Sequence, residues 1–198
     1  MKVVIVFNHP YEGSYCNAIL NAVTSGLERA GHEADLIHLD NDGFDPVIRA
    51  KDLKGFKEGI PSDPKVLNYR DRIDQAGHLV MIFPVWWELM PAMTKGFIDK
   101  VIFPGVPYDY DNSGRFPRTI KKWNSINGIT LITTMNTPSI FYRILFGNAI
   151  KKALFSGTFR KLGFKNMKWI SFNMVKFVSQ EKREKWLKQT EEHFNSFK

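Results

Sequence analysis

Three short stretches of this chain combine residue types that can hold a ligand, and each follows an apolar run. The first is Asn8-His9-Pro10-Tyr11-Glu12-Gly13-Ser14-Tyr15-Cys16-Asn17. Ser14 is a strong helix N-cap, and the free N–H groups of a helix start attract an anion such as phosphate. His9 stands where its ring can donate to the same anion, although a plain capped helix with a surface histidine would read the same. The second stretch is Phe83-Pro84-Val85-Trp86-Trp87-Glu88-Leu89-Met90-Pro91. Two adjacent tryptophans are hard to bury together in a regular element, and the prolines stiffen the chain around them. They read as a flat wall for a planar ligand, with a hydrophobic plug or a subunit contact as the alternative. The third is Thr133-Thr134-Met135-Asn136-Thr137-Pro138. Its hydroxyls and backbone N–H groups can bond a ring carbonyl and stabilise negative charge developing on a bound ring. An ordinary strand-to-helix turn is the alternative.

Other chemistries lack their sequence signatures. No G-x-G-x-x-G follows the first apolar run, so a resident dinucleotide in the Rossmann manner is not expected, and there is no G-x-x-x-x-G-K-[ST]. Without H-E-x-x-H or C-x-x-C no metal site is indicated, and there is no G-x-S-x-G nucleophile turn.

The elements that must position the three stretches follow from periodicity. Residues 2–7, 34–39, 78–83, 127–134 and 167–173 read as strands, the third stopped by Pro84. Residues 14–30 carry helical spacing and end at Gly31, as a left-handed cap would end them. Helices are also expected near 52–57, over 64–75, over 91–102 with Pro91 in the first position, over 147–162 and over 179–196. Residues 103–125 read as a long loop. Strand and helix alternate throughout, which predicts an α/β domain: a doubly wound, five-stranded parallel sheet with helices on both faces. In such sheets ligands sit beyond the C-terminal ends of the strands, where all three stretches fall.

Bulk properties agree with one globular domain over residues 1–198, with 43% hydrophobic and 24% charged residues. No apolar run approaches the roughly 20 residues of a membrane span, and the first residues read as a buried strand, not a signal peptide. Cys16 is the single cysteine, so no intrachain disulfide forms, which fits a reducing cytoplasm. The net charge of +8 is uneven. Residues 1–100 hold 11 Lys/Arg against 14 Asp/Glu, and residues 101–198 hold 17 against 6. A basic half suits an anionic partner or is simply a solvated surface; no nucleic-acid module accompanies it.

Taken together, the segments His9–Leu20, Phe83–Ile102 and Ile132–Pro138 resemble the flavodoxin-like NAD(P)H:quinone oxidoreductases, and the order and spacing match over nearly the whole chain. The Phe83–Ile102 block is the most specific, a long gapless pattern of prolines, tryptophan and Lys-Gly with an Asp-Lys-Val tail. The resemblance implies a bound flavin, FMN or alternatively FAD, with NAD(P)H as co-substrate and a quinone-like acceptor served in ping-pong order. It implies that His9, Ser14, Tyr15, Cys16 and Asn17 take the flavin phosphate. Pro84, Val85, Trp86 and Trp87 would then lie along the isoalloxazine, and Thr133, Thr134, Met135 and Asn136 would hold its pyrimidine end. Tyr108 and Tyr110 match a tyrosine pair lining the substrate pocket of relatives, or are two surface aromatics. Phe141 or Tyr142 falls near a further family tyrosine, and Tyr142 joins the catalytic set. Relatives form homodimers; the other role the resemblance offers is a flavin-bound ancillary subunit of a potassium-efflux or other membrane transport system. The sequence departs from the family at Met135-Asn136, where glycines are common, so side chains there are expected to crowd the ring or alter its potential. It departs again at Phe146-Gly147-Asn148, where some relatives carry a relay histidine, a part that Tyr142 or Asn136 would take over.

Overall fold

A computed structural model describes residues 1–58, 60–102, 108–111, 113–114, 116 and 118–197, with no side chain described at 56–58, 110, 118 and 119. The first strand shows why the sheet forms. In β1 (Lys2–Phe7) every residue after Lys2 is buried, so the strand has apolar neighbours on both faces, as a parallel sheet demands. Alternate residues part to opposite sides. Val4 and Val6 join Leu79, Met81 and Phe83 of β3 (His78–Pro84) and Ile129 and Leu131 of β6 (Gly128–Thr134) in one core. Val3, Ile5 and Phe7 join Val80, Ile82 and Ile132 in the other.

With β2 (Glu33–His38) and β7 (Met167–Phe172), these strands form one parallel sheet in the order β2-β1-β3-β6-β7. The first core is covered by α3 (Pro64–Asp74), α4 (Ala92–Val101) and a segment at 151–159. The second is covered by α1 (Tyr15–Arg29) and α6 (Gln180–Asn195). The expected fold class is therefore the observed one. From β1 the chain turns to β2 on one side and reaches β3 on the other, so the crevice beyond the ends of β1 and β3 is the switch point of the winding. Helix α2 spans Ala50–Glu58. No helix among the described residues is long and apolar enough to cross a membrane.

Several local expectations need correction. The stretch 103–125 is not simply a loop: Tyr108–Asp111 (β4) and Arg118–Lys121 (β5) pair as an antiparallel ribbon, and Trp123 is a core residue. Four-residue strands among Gly, Pro and Asn leave too short a periodic signal to be read. Pro91 is the N-cap of α4, with ψ near 155°, because its carbonyl already accepts from Lys95 N while its own torsion is extended. Pro84 is the last residue of β3 and not its stop, since the ladder passes to the next N–H, from Val85 to Thr134 O at 2.8 Å. The helix expected over 147–162 is shorter, Lys151–Phe159, and winds as a π-helix, with Arg160 N reaching Phe155 O at 2.8 Å; a separate helix not expected, α5 (Ser139–Ile144), precedes it. Gly31 does end α1 in a left-handed conformation, at φ +74°.

Candidate functional site

The stretch after β1 is anchored by a buried amide. Asn8 donates to Asp40 Oδ2 and accepts from Thr94 Oγ1, both at 2.8 Å, tying the ends of β1 and β2 to α4. His9 then accepts the Tyr11 N–H at Nδ1, 3.1 Å away, which leaves Nε2 as the N–H donor. Partial burial lowers the His9 pKa, with Asp40 pulling the other way, so at neutral pH the ring is an uncharged donor. Ser14 caps α1 by accepting from Asn17 N at 3.1 Å, and Asn17 Nδ2 donates to Glu12 O at 2.7 Å. The side chains of Tyr15 and Cys16 turn inward. Tyr15 donates to Arg183 O, and burial pushes its hydroxyl up to about 12. Cys16 Sγ lies 3.2 Å from Thr134 Oγ1, and burial pushes the thiol up to about 11. What these two residues offer a ligand is the backbone N–H of the first helical turn, which has no intrahelical acceptor.

The stretch after β3 is a tight reversal. Trp86 and Leu89 exchange backbone hydrogen bonds at 2.9 and 3.1 Å, and between them Trp87 and Glu88 both have positive φ, +50° and +63°. That turn normally takes glycine or asparagine, so here the surroundings must hold it. Glu88 is what they hold: its Oε1 accepts from Thr137 Oγ1 at 2.6 Å and its carbonyl from Tyr142 Oη at 2.9 Å, while Oε2 is buried with no partner. The two tryptophans, read as one wall, are separated. Trp86 stacks edge-on against His9, ring centroids 6.1 Å apart, whereas Trp87 is 96% exposed and stands clear of the body.

The stretch after β6 divides in the same way. Thr133 is fully buried and accepts from Trp169 Nε1 at 2.9 Å; Thr134 meets Cys16. The Met135 side chain belongs to the core, so of the pair expected to crowd the ring it is Asn136 that is exposed. Asn136 is exposed at the surface and accepts from Lys176 N at 3.1 Å.

The remaining expected residues are scattered. Tyr108 is half-buried in β4; the side chain of Tyr110 lies outside the described residues. Phe141 is half exposed, but Tyr142 is 1% exposed. The Tyr142 hydroxyl gives its proton to Glu88 O and accepts from Ile150 N at 3.0 Å, and burial raises its pKa. It is thus placed as a brace behind the Trp87 turn, not as a group facing the crevice. Sequence reading missed Glu88 and Asn8, since nothing in their neighbours signals a burial that only the fold creates.

The three stretches therefore meet. His9 touches Trp86, Val85 bonds Thr134, and Thr134 touches Cys16. Together they present neutral N–H donors at the start of α1, an exposed aromatic edge, and polar groups at the end of β6. This set fits a planar group that carries a phosphate. No side chain in it is an activated nucleophile, because the one thiol is pushed up, not down.

Comparison with known proteins agrees with this geometry. A family described as having a flavodoxin-like fold matches residues 1–196. The uncharacterized NAD(P)H oxidoreductase of Haemophilus influenzae is 25% identical over 185 residues, which span 92% of this chain and 89% of that one. An NAD(P)H:quinone oxidoreductase from Methanothermobacter marburgensis superposes with a TM-score of 0.87 over 100% of this chain and 99% of its own, at 22% identity. An FMN-dependent NADH-azoreductase from Bacillus anthracis, solved with FMN, superposes with a TM-score of 0.74 over 98% and 97%, at 15% identity. These two structural likenesses speak for the fold.

Proposed function

The chain belongs to the flavodoxin-like family, and from that premise we propose that it is an NAD(P)H oxidoreductase that holds FMN beyond β1, β3 and β6 and reduces a quinone or a similar electron-poor acceptor. The observation that carries this reading is the convergence of three strand-end loops through His9–Trp86, Val85–Thr134 and Cys16–Thr134. The names of the Haemophilus and Methanothermobacter relatives support the activity, and the azoreductase complex supports FMN over FAD. When bound, the flavin supplies the redox chemistry, taking a hydride from NAD(P)H and passing electrons to the acceptor.

The chain's own residues bind and orient. His9 Nε2, the Ser14 hydroxyl, the N–H groups of Tyr15 and Cys16 and the side-chain amide of Asn17 receive the phosphate. Pro84, Val85 and Trp86 line the ring, and the backbone from Thr133 to Asn136 meets its pyrimidine edge. Tyr142 and Glu88 fix the turn that presents Trp87. The face beside Trp87 admits NAD(P)H and then the acceptor, in ping-pong order, and the family resemblance assigns Tyr108 to the substrate pocket.

A second copy of the chain covers the exposed apolar face made by Phe141, Ile144 and Leu145, of which the last two are 71% and 68% exposed. Sedimentation at the 22.9 kDa of one chain across a range of concentrations would count against this dimer. The lone free cysteine suits the cytoplasm. No observation favours the alternative of a transport-system subunit.

The test is the visible spectrum of the purified protein, followed by anaerobic addition of NADPH or NADH. Bound-flavin bands that bleach on addition support the reading, and mass analysis of the released cofactor then distinguishes FMN from FAD. A protein that takes up neither flavin would overturn it.

A further inference from the structure

A cavity of about 210 Å³ opens beside the end of β7, under α5 and the start of the π-helical segment. Its wall includes Arg143, Lys151, Asn148, Tyr142, Trp169 and Ser171, and no carboxylate. Among the described residues, neither Arg143 nor Lys151 has an ion-pair or hydrogen-bond partner for its side chain. Two cations on a wall without acids leave the cavity positive. Asn148 completes this wall. It sits at φ +59°, held by the bond from its N–H to Tyr142 O at 2.9 Å, and its Oδ1 is buried without a donor. A buried acceptor without a donor is uncommon in a folded protein. The wall thus sets two cations and an amide beside Trp169.

The geometry points to a second ligand site here, for a phosphorylated sugar whose phosphate meets Arg143 and Lys151 and whose hydroxyls meet the polar wall at Asn148 and Ser171. It lies behind Tyr142, whose hydroxyl braces the Trp87 turn, so an occupant touches the residue that shapes the flavin crevice. The sugar phosphate has two possible sources: the 2′-phosphoribose of NADPH, which rests on the function proposed above, or a free sugar phosphate, which does not.

Calorimetry on the purified full chain with ribose 5-phosphate and with 2′-AMP tests the site. Saturable binding at millimolar concentration or tighter is expected, weakened about tenfold or more in R143A/K151A, since charge-assisted hydrogen bonds are lost. Asn148→Asp, which places a carboxylate in the wall, should weaken it similarly, while Lys152→Ala outside the wall should leave it unchanged. If NADPH is the source, R143A/K151A raises the KM for NADPH and spares NADH. If a free sugar phosphate is the source, both KM values stay and the calorimetric loss remains. A protein that takes up no flavin but still binds ribose 5-phosphate leaves the site standing and removes only the NADPH source. No saturable binding by the wild type, or equal binding by R143A/K151A, overturns the proposal.

Discussion

The two ends of the central sheet are built from the same strands and finished in opposite ways. At the N-terminal end, His78 Nε2 pairs with Thr130 Oγ1 at 2.9 Å, and the Phe197 ring closes over the histidine with centroids 4.6 Å apart. The Phe197 carbonyl lies 2.9 Å from His32 Nε2, and the amino terminus lies 3.1 Å from the other nitrogen of that ring. A Cβ on Gly128 would come within 2.8 Å of both His78 and Asn166, so even a methyl group has no room. At the C-terminal end, Trp87 stands in solvent on a left-handed turn, Glu88 Oε2 has no partner, and His9 Nε2 points free. One end closes on itself; the other leaves the Trp87 ring and one histidine nitrogen uncovered. In open parallel sheets ligands sit beyond the C-terminal strand ends, and the asymmetry agrees with the site proposed there.

The comparison can be broken by titrating its closed end. Burial, with His193 nearby, lowers the His78 pKa to about 4. The unfolded chain takes up this proton near 6.5 and the folded protein only near 4, so the contribution is whole above about 6.5 and falls as the pH drops toward 4. The loss from this one group should reach about 3 kcal/mol. Urea denaturation from pH 7 to pH 4 should show that slope, flattened in His78→Gln, with no change in flavin affinity at pH 7.

Crossing between the two ends is sharper in Tyr142→Phe. It strips Glu88 O and the Ile150 N–H of their partner, which should cost about 2 kcal/mol of stability and weaken flavin binding as the Trp87 turn loosens. Equal flavin affinity in wild type and variant would show that the turn holds itself.

Trp87→Ala should leave the urea midpoint within about 0.5 kcal/mol of wild type, since the side chain touches almost nothing. The same change should raise the KM for the nicotinamide nucleotide about tenfold, an aromatic surface being lost where the site opens. A fall in stability without a change in KM would place Trp87 on the closed side of the comparison.

Smallest is Ser14→Ala, expected to cost about 1 kcal/mol through its cap. Restoring flavin saturation should then require more flavin but leave the rate at saturation unchanged, which distinguishes a phosphate contact from a group that acts in the reaction.

Much of the site was legible in the chain, because each of its three loops follows a strand and strands announce themselves. The runs at 2–7 and 78–83 are long, apolar and bounded, so the elements that end at Asn8 and Val85 could be placed almost to the residue. Which side chain within each loop faces outward could not be read. Thr133, Met135, Tyr15 and Cys16 sit in the right segments yet turn into the cores, while Trp86 and Trp87, adjacent in sequence, part company across a turn. Glu88 and Asn148 carry no signature at all; their unpaired oxygens exist only because α5 and Thr137 close over them.

By itself, then, the sequence determined the alternation of strand and helix, the five-stranded parallel sheet and the strand ends at which the proposed ligand would sit. Those follow from local rules: hydrophobic period, caps and chain-stiffening residues act within a few positions of one another. The tertiary structure alone decided that Tyr142 braces the site instead of facing it, that Met135 fills the core, and that two cations and an unpaired amide share one cavity beside β7. These are meetings between residues far apart in the chain, settled by which buried polar groups find partners once the helices have packed.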